Sequence, residues 1–356
     1  MATAPAQRRL TVAITGPTGD IGLPLLERLD RNPAVGRVIG MARRPFDPAE
    51  HGLTKTEYRQ GEVLDRASVD GLVKDADVVV HLAFLIFGTP DEARAVNLEG
   101  SNNVFGAAFD AGVQRLLYTS SVAAYGFHED HPDRLTEDVP ARGSDSHYYS
   151  AQKADVEGVL DDLRRGATSG PDVYVFRPCI VAGPGATTLI EKLPYVKFGD
   201  RVPNAMKKLA GSMPLLRPVL PDPGVPFQLV HEDDVAAALE LAVLGRGEPG
   251  VYNLAADGDI TVTDLAHALG WYAVPVPQRA MDVTATIMSS LPLLPAEAKW
   301  LEAIRVPVLM DTTKARTVLG WEPEHDVLDT LAATVHAARL KGIVAAGRAG
   351  PAEVGL

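Results

Sequence analysis

The chain has 356 residues, 46% of them apolar and 22% charged, the balance of a folded globular protein rather than a disordered one. Its 34 basic and 46 acidic side chains leave a net charge of -12, which sets it against nucleic acid and anionic membrane as partners. A single cysteine, Cys179, excludes an intrachain disulfide and a cysteine-based zinc site, and no apolar run approaches the roughly 20 residues of a membrane span. The opening MATAPAQRR leads toward a strand rather than the apolar core of a signal peptide, so a cytoplasmic protein is expected.

From residue 10 to about residue 181, short apolar runs alternate with stretches of helical period, the pattern of a parallel sheet covered by helices. Strands are predicted at LTVAIT, GRVIGM, TEYRQ, DVVVHLA, QRLLYTS and DVYVFRP, enough for an α/β fold with a Rossmann-type doubly wound sheet. Residues 183–225 then become rich in Pro and Gly and read as a lid or small lobe. Regularity returns with the strand PFQLVH, the helix DDVAAALELAV, the strand GVYNLA and the helix TVTDLAHALG, where Thr261 or Thr263 caps the start. The expected organisation is a dinucleotide-binding domain over residues 9–182, rejoined by the chain at about 226–256. A smaller substrate-binding lobe takes residues 183–225 and 257–340, and residues 341–356 form a Gly/Ala-rich flexible tail.

The first strand runs into TGPTGDIGLPLLERL, with Gly16, Gly19 and Gly22 spaced GxxGxxG ahead of a helix. Glycine there lets backbone approach a pyrophosphate, and the helix N-terminus offers unpaired amides and positive partial charge. Between a strand and an amphipathic helix, this trio reads as a dinucleotide site. A carboxylate expected at the end of the second strand, to hold the ribose of NAD, is replaced by Gly40, followed by Met41, Ala42, Arg43 and Arg44. Two guanidinium groups suit a 2'-phosphate, so NADP is favoured with NAD as the alternative; Arg43 and Arg44 also read as solvated loop charges. His128 and His131 stand three apart in a polar, Pro-containing loop with no third ligand at suitable spacing, so no metal is expected.

The fifth strand ends in YTSSVAAYG, and HYYSAQKADVEGVL follows about 25 residues later. Tyr149 and Lys153 are four apart, on one face of a helix. A lysine beside a phenol favours phenolate and so lowers its pKa from about 10, fitting the tyrosine to exchange a proton with a substrate oxygen.

Glycine turn, strand-end serines and YxxxK in this order resemble the short-chain dehydrogenase/reductase superfamily, in its extended branch of the NAD-dependent epimerase/dehydratase type. The likeness extends through HLAF at residues 81–84, NLEGSNN at 97–103, RPCIVAGPG from Arg177, LVHEDDVA from Leu229 and DTTKARTVLGW from Asp311. It implies Ser121, Tyr149 and Lys153 as the catalytic triad, with Lys153 also holding the nicotinamide ribose. For the cofactor it implies the turn residues Gly16, Thr18, Gly19, Asp20, Ile21 and Gly22, then Arg43 and Arg44. Glu62 and Val63 follow, then Leu82, Ala83, Pro178 and again Tyr149 and Lys153. Glu62 stands where the family has an adenine-contacting aspartate. Ser121 and Val122 stand where sugar-nucleotide dehydratases carry an Asp-Glu pair, which disfavours dehydration. The diphosphate-binding arginine usual before the histidine of LVHEDD is missing from GVPFQ, which argues against a UDP-sugar.

These features lead to an NADP(H)-dependent oxidoreductase that interconverts a secondary alcohol and ketone on a non-nucleotide small molecule, with Tyr149 as acid/base. The alternative is an epimerase acting on a sugar or related molecule, with tightly bound NAD and transient oxidation. A non-catalytic dinucleotide sensor is the third reading, against which the intact Ser121, Tyr149 and Lys153 count. Lys192, Lys197, Arg201, Lys207, Lys208 and Arg217 either steer an anionic substrate group or form solvated faces of the lobe. Family members commonly pair through helices equivalent to residues 90–112 and 146–164, so a homodimer is expected.

Overall fold

The computed structural model of the protein describes residues 8–86, 89–193, 196, 218–277 and 306–344. The predicted strands appear as β1 Leu10–Thr15, β2 Val35–Ala42, β3 Thr56–Gln60, β4 Val78–His81, β5 Arg115–Thr119 and β6 Asp172–Pro178. Further strands are β7 Ile180–Ala182, β8 Val219–Asp222, β9 Leu229–His231, β10 Gly250–Leu254 and β11 Tyr272–Pro275. The main sheet has seven strands in the order β3-β2-β1-β4-β5-β6-β10, all parallel. The seventh comes from the returning segment, since β10 pairs with β6 beyond the predicted six.

Two helical layers explain why the central strands are apolar on both faces. Val12 and Ile14 of β1 pack in one cluster with Leu25, Leu26 and Leu29 of α1 (Gly22–Arg31) and with Val235 and Leu239 of α7 (Glu232–Val243). Ala13 and Val79 face the other cluster, with Val69 and Leu72 of α2 (Arg66–Val73) and Val104 and Phe105 of α4 (Gly100–Ala111). Short α3 (Pro90–Arg94) precedes α4, joined by a π-helical turn, Ala95–Glu99. Long α5 (Tyr148–Gly166) lies against α4 and adds Val156 and Leu160 to the same layer.

PFQLVH contributes only β9, which pairs with β7 instead of entering the main sheet. Beyond it lie α6 (Thr188–Glu191), α8 (Val262–Leu269) and α9 (Val327–Leu340), with β8 and β11 forming a small parallel pair. Thr261 starts α8, its amide and hydroxyl both donating to the Asp264 carboxylate. Fully buried Trp321 donates its indole N–H to the Asp234 carbonyl, and the Asp234 carboxylate accepts the amides of Glu324 and His325. The chain after β11 is thereby tied back to α7. No described helix is long and apolar enough to cross a membrane.

Strand order reverses between β1 and β4: from β1 the sheet builds toward β2 and β3 on one side, and toward β4 and β5 on the other. A crevice opens at such a switch point, at the carboxyl ends of the strands.

Candidate dinucleotide cleft and active site

Thr15 ends β1 and hands the chain to the glycine turn. Gly16 has φ +73°, and a Cβ there would lie 2.8 Å from the Ala83 nitrogen. Gly22 is equally constrained, because its Cβ would come 2.5 Å from the Gly16 carbonyl oxygen. Gly19 differs, with only ordinary contact at 3.5 Å. Two glycines therefore let the turn pack, while the third leaves space on the cleft side. Helix α1 begins with no side-chain cap and no acidic residue in its first turn. The amides of Gly22 and Leu23 both donate to the Gly19 carbonyl and Pro24 carries none, so what the helix start offers an anion is the positive end of its dipole.

The turn borders a cavity of about 200 Å³ lined by Gly16, Thr18 and Gly19, by Met41 to Arg44, by Gly61 to Val63, and by Leu82 to Leu85 with Val96. Nine of the expected cofactor residues thus meet around one space: Gly16, Thr18, Gly19, Arg43, Arg44, Glu62, Val63, Leu82 and Ala83. Asp20, Ile21, Gly22, Pro178, Tyr149 and Lys153 are not on its wall. Gly22 is turned under the Gly16 carbonyl, and Pro178 ends β6 in the buried interior.

At the end of β2 the residue facing the cleft is Ala42 rather than Gly40. A Cβ on Gly40 would lie 3.0 Å from Pro17 Cγ, with the Tyr58 ring beyond. No acid among Met41 to Arg44 lines the cavity, whose one carboxylate is Glu62. The Tyr58 hydroxyl donates to the carbonyls of Ala42 and Arg44, and Gln60 donates to that of Arg43 at 2.9 Å. Side chains of β3 thus fix the backbone of this loop while both guanidinium groups remain exposed.

Ser121 follows β5, is buried, and caps the short 3₁₀ turn Val122–Tyr125 by accepting from the Ala123 amide at 3.2 Å. Tyr149, in the first turn of α5, hydrogen-bonds to the Ser121 side chain. Its ring meets Phe84 edge-on, centroids 5.5 Å apart, so the pair stands beside the cavity wall. Burial pushes the Tyr149 phenol up to about 12, with the Ser121 bond acting in the opposite direction.

That rise corrects the expectation of a phenol lowered by Lys153. The Lys153 ammonium is buried, donates to the Thr119 carbonyl at 2.9 Å, and stands 3.7 Å from the centroid of the Phe84 ring. It lies 5.9 Å from the Tyr149 ring centroid. Desolvation acts on it too, bringing its pKa down to about 7 against the opposing pull of Glu157. Desolvation opposes ionisation of both groups, so neither is charged to assist the other.

Several further contacts support this site, and no local sequence signal records their pairings. Glu157 accepts from the Ser120 hydroxyl and makes a two-pronged buried ion pair with Arg177, whose guanidinium lies 4.4 Å from the Tyr125 ring centroid. Fully buried Asn97 joins the backbone of Leu85 on the cavity wall, at 2.7 and 3.0 Å, to the Gln152 side chain at 2.8 Å. Gln152 immediately precedes Lys153, so Asn97 couples the cavity wall to the catalytic helix. His81 is held between Thr15 and Ser101 and kept neutral by burial, its pKa down to about 3.

His128 has its Nε2 2.7 Å from the Gly143 carbonyl, and no group of three or more metal-binding side chains occurs among the described residues. Of the basic residues placed in the lobe, Lys192 is described. Lys197, Arg201, Lys207, Lys208 and Arg217 lie outside the described residues, as do residues 345–356 of the tail.

Residues 12–255 match the model of the NAD dependent epimerase/dehydratase family. Over 322 residues the chain is 26% identical to the uncharacterized protein Rv0501 of Mycobacterium tuberculosis, covering 88% of this chain and 80% of that protein. Over 170 residues it is 32% identical to human 3 beta-hydroxysteroid dehydrogenase type 7, covering 45% of this chain and 46% of that one. In fold it is similar to the UDP-glucuronic acid 4-epimerase of Bacillus cereus in complex with NAD, with a TM-score of 0.69 and 16% identity over 93% of this chain and 99% of that one.

Proposed function

The chain belongs to the NAD-dependent epimerase/dehydratase family, and from that premise we propose that it is an epimerase of a sugar or related polyhydroxy molecule that keeps its NAD between turnovers. The observation that carries this reading is the Ser121–Tyr149 hydrogen bond beside the wall of the glycine-turn cleft. Bound NAD supplies reversible hydride acceptance from a carbinol carbon. Tyr149 would take the hydroxyl proton as the alcohol becomes a ketone and return it as the alcohol re-forms with the opposite configuration, which leaves the cycle redox-neutral. Ser121 holds the substrate oxygen, and Lys153 holds the nicotinamide ribose.

Two features favour a substrate without a nucleotide. Phe227, just before β9, exchanges backbone hydrogen bonds with Ile260. The buried Gln228 side chain is spent on the Met310 backbone, accepting its amide at 2.7 Å. Neither offers a cation to a diphosphate.

A second reading is a net NADP(H)-dependent alcohol/ketone oxidoreductase. It is favoured by exposed Arg43 and Arg44 at the rim of a cleft with no acid at the β2 end. A homodimer joined through the helices of residues 90–112 and 146–164 accompanies either reading. The shared chemistry is tested with Tyr149→Phe, which keeps dinucleotide binding and lowers turnover by about 10²-fold or more. Full activity in that variant would remove Tyr149 from the reaction.

A further inference from the structure

Phe84 follows β4 where the cavity wall meets the catalytic helix. It lines the cavity between Ala83 and Leu85, whereas Tyr149 and Lys153 are not on that wall. The half-buried ring has its centroid 3.7 Å from the buried Lys153 nitrogen and meets the Tyr149 ring edge-on. That separation is van der Waals contact, so no third group fits between ring and ammonium. The ammonium has three N–H donors. One is given to the Thr119 carbonyl at 2.9 Å, and the Tyr118 hydroxyl lies at 3.5 Å. The Tyr118 and Tyr149 ring centroids stand farther off, at 5.2 and 5.9 Å, so Phe84 supplies the nearest aromatic face to this desolvated cation.

The backbone around Phe84 is pinned on both sides. The Leu82 amide donates to the Thr15 carbonyl at 3.0 Å, and Asn97 holds both the amide and the carbonyl of Leu85. The Tyr148 hydroxyl donates to the Ile86 carbonyl. Movement of the ring is therefore left to the side-chain torsions of Phe84. The cavity, about 200 Å³, is also smaller than the roughly 300–1,000 Å³ of small-molecule sites. A whole dinucleotide needs space beyond the present wall, and Phe84 is the part of that wall in contact with Lys153.

We propose that Phe84 is a positioning residue of the cofactor site: its ring covers the side of Lys153 that the nicotinamide ribose requires, and rotation of that side chain admits the nicotinamide half. This rests on the dinucleotide reading and on Lys153 as the holder of the ribose. Ring and ribose compete for the same ammonium. The adenosine and pyrophosphate end seats independently of Phe84, while the other end must displace the ring.

The test is calorimetric titration of the emptied full chain with NAD and with ADP, which lacks the nicotinamide ribose. Phe84→Ala should lower the Kd for NAD about tenfold and leave that for ADP within about twofold. Phe84→Leu keeps bulk without an aromatic face and should lower the NAD Kd about threefold; it decides the matter if the alanine variant does not fold. The gain should vanish on a Lys153→Met background. An NAD Kd that is unchanged or raised in both Phe84 variants, with ADP still bound, would overturn the competition, as would an equal gain without Lys153. Wild-type protein that binds neither ADP nor NAD would instead overturn the dinucleotide reading, and this inference with it.

Discussion

Tyr149 and Lys153 show how burial reshapes a pair that looks self-sufficient on a helix wheel. The spacing puts both on one face of α5, but Lys153 spends its donors on Thr119 and its charge on the Phe84 ring. A phenol raised to about 12 is an acid in waiting, and it becomes a base only when further positive charge is brought close. For Lys153 the folded pKa, about 7, lies below the ordinary 10.5, so its contribution to stability is full above about 10.5 and is lost as pH falls toward 7. Thermal unfolding of the protein should therefore show stability rising with pH over that interval, and Lys153→Met should remove the rise. An identical pH slope in the variant would mean that Lys153 is not held in this desolvated state. Arg177 and Asn97 stand in stretches that the family resemblance marks, but what they hold was not legible in the sequence. Arg177 meets Glu157 from 20 positions away, and Asn97 meets Gln152 from 55, separations that no local period records.

Among the elements, the strands of the main sheet were legible because burial on both faces makes them unbroken apolar runs, such as Val78, Val79 and Val80, all with zero exposure. The predicted β1, β3 and β6 coincide with the observed bounds. The small pair β8 and β11 went unread for the opposite reason. β11 is mostly exposed, and β8 carries Pro221 in a stretch that looks like a loop. The glycine turn was legible as a motif but not in its division of labour. Gly22→Ala should destabilise the fold by about 1–3 kcal/mol, because its Cβ meets backbone. Gly19→Ala should leave the melting temperature nearly unchanged and weaken dinucleotide binding, since the space its Cβ takes is on the cleft side. Equal effects of the two substitutions on stability would contradict that assignment.

For the whole molecule, the sheet and the segments that return to it form one frame. β10 closes the edge beside β6, and Trp321 and Asp234 fasten the chain after β11 to α7. That frame sets the glycine turn, the β2 end and the Ser121–Tyr149 pair around a single crevice. Whether a retained NAD serves a redox-neutral reaction is decided by the dinucleotide the protein carries. Freshly purified protein is denatured, the released cofactor is identified by absorbance and mass, and the emptied protein is titrated with NAD and NADPH. For a retained cofactor, NAD is expected at close to one per chain, with tighter rebinding of NAD than of NADPH. Protein that emerges empty and prefers NADPH would contradict it, and would return Arg43 and Arg44 to the centre of a net oxidoreductase.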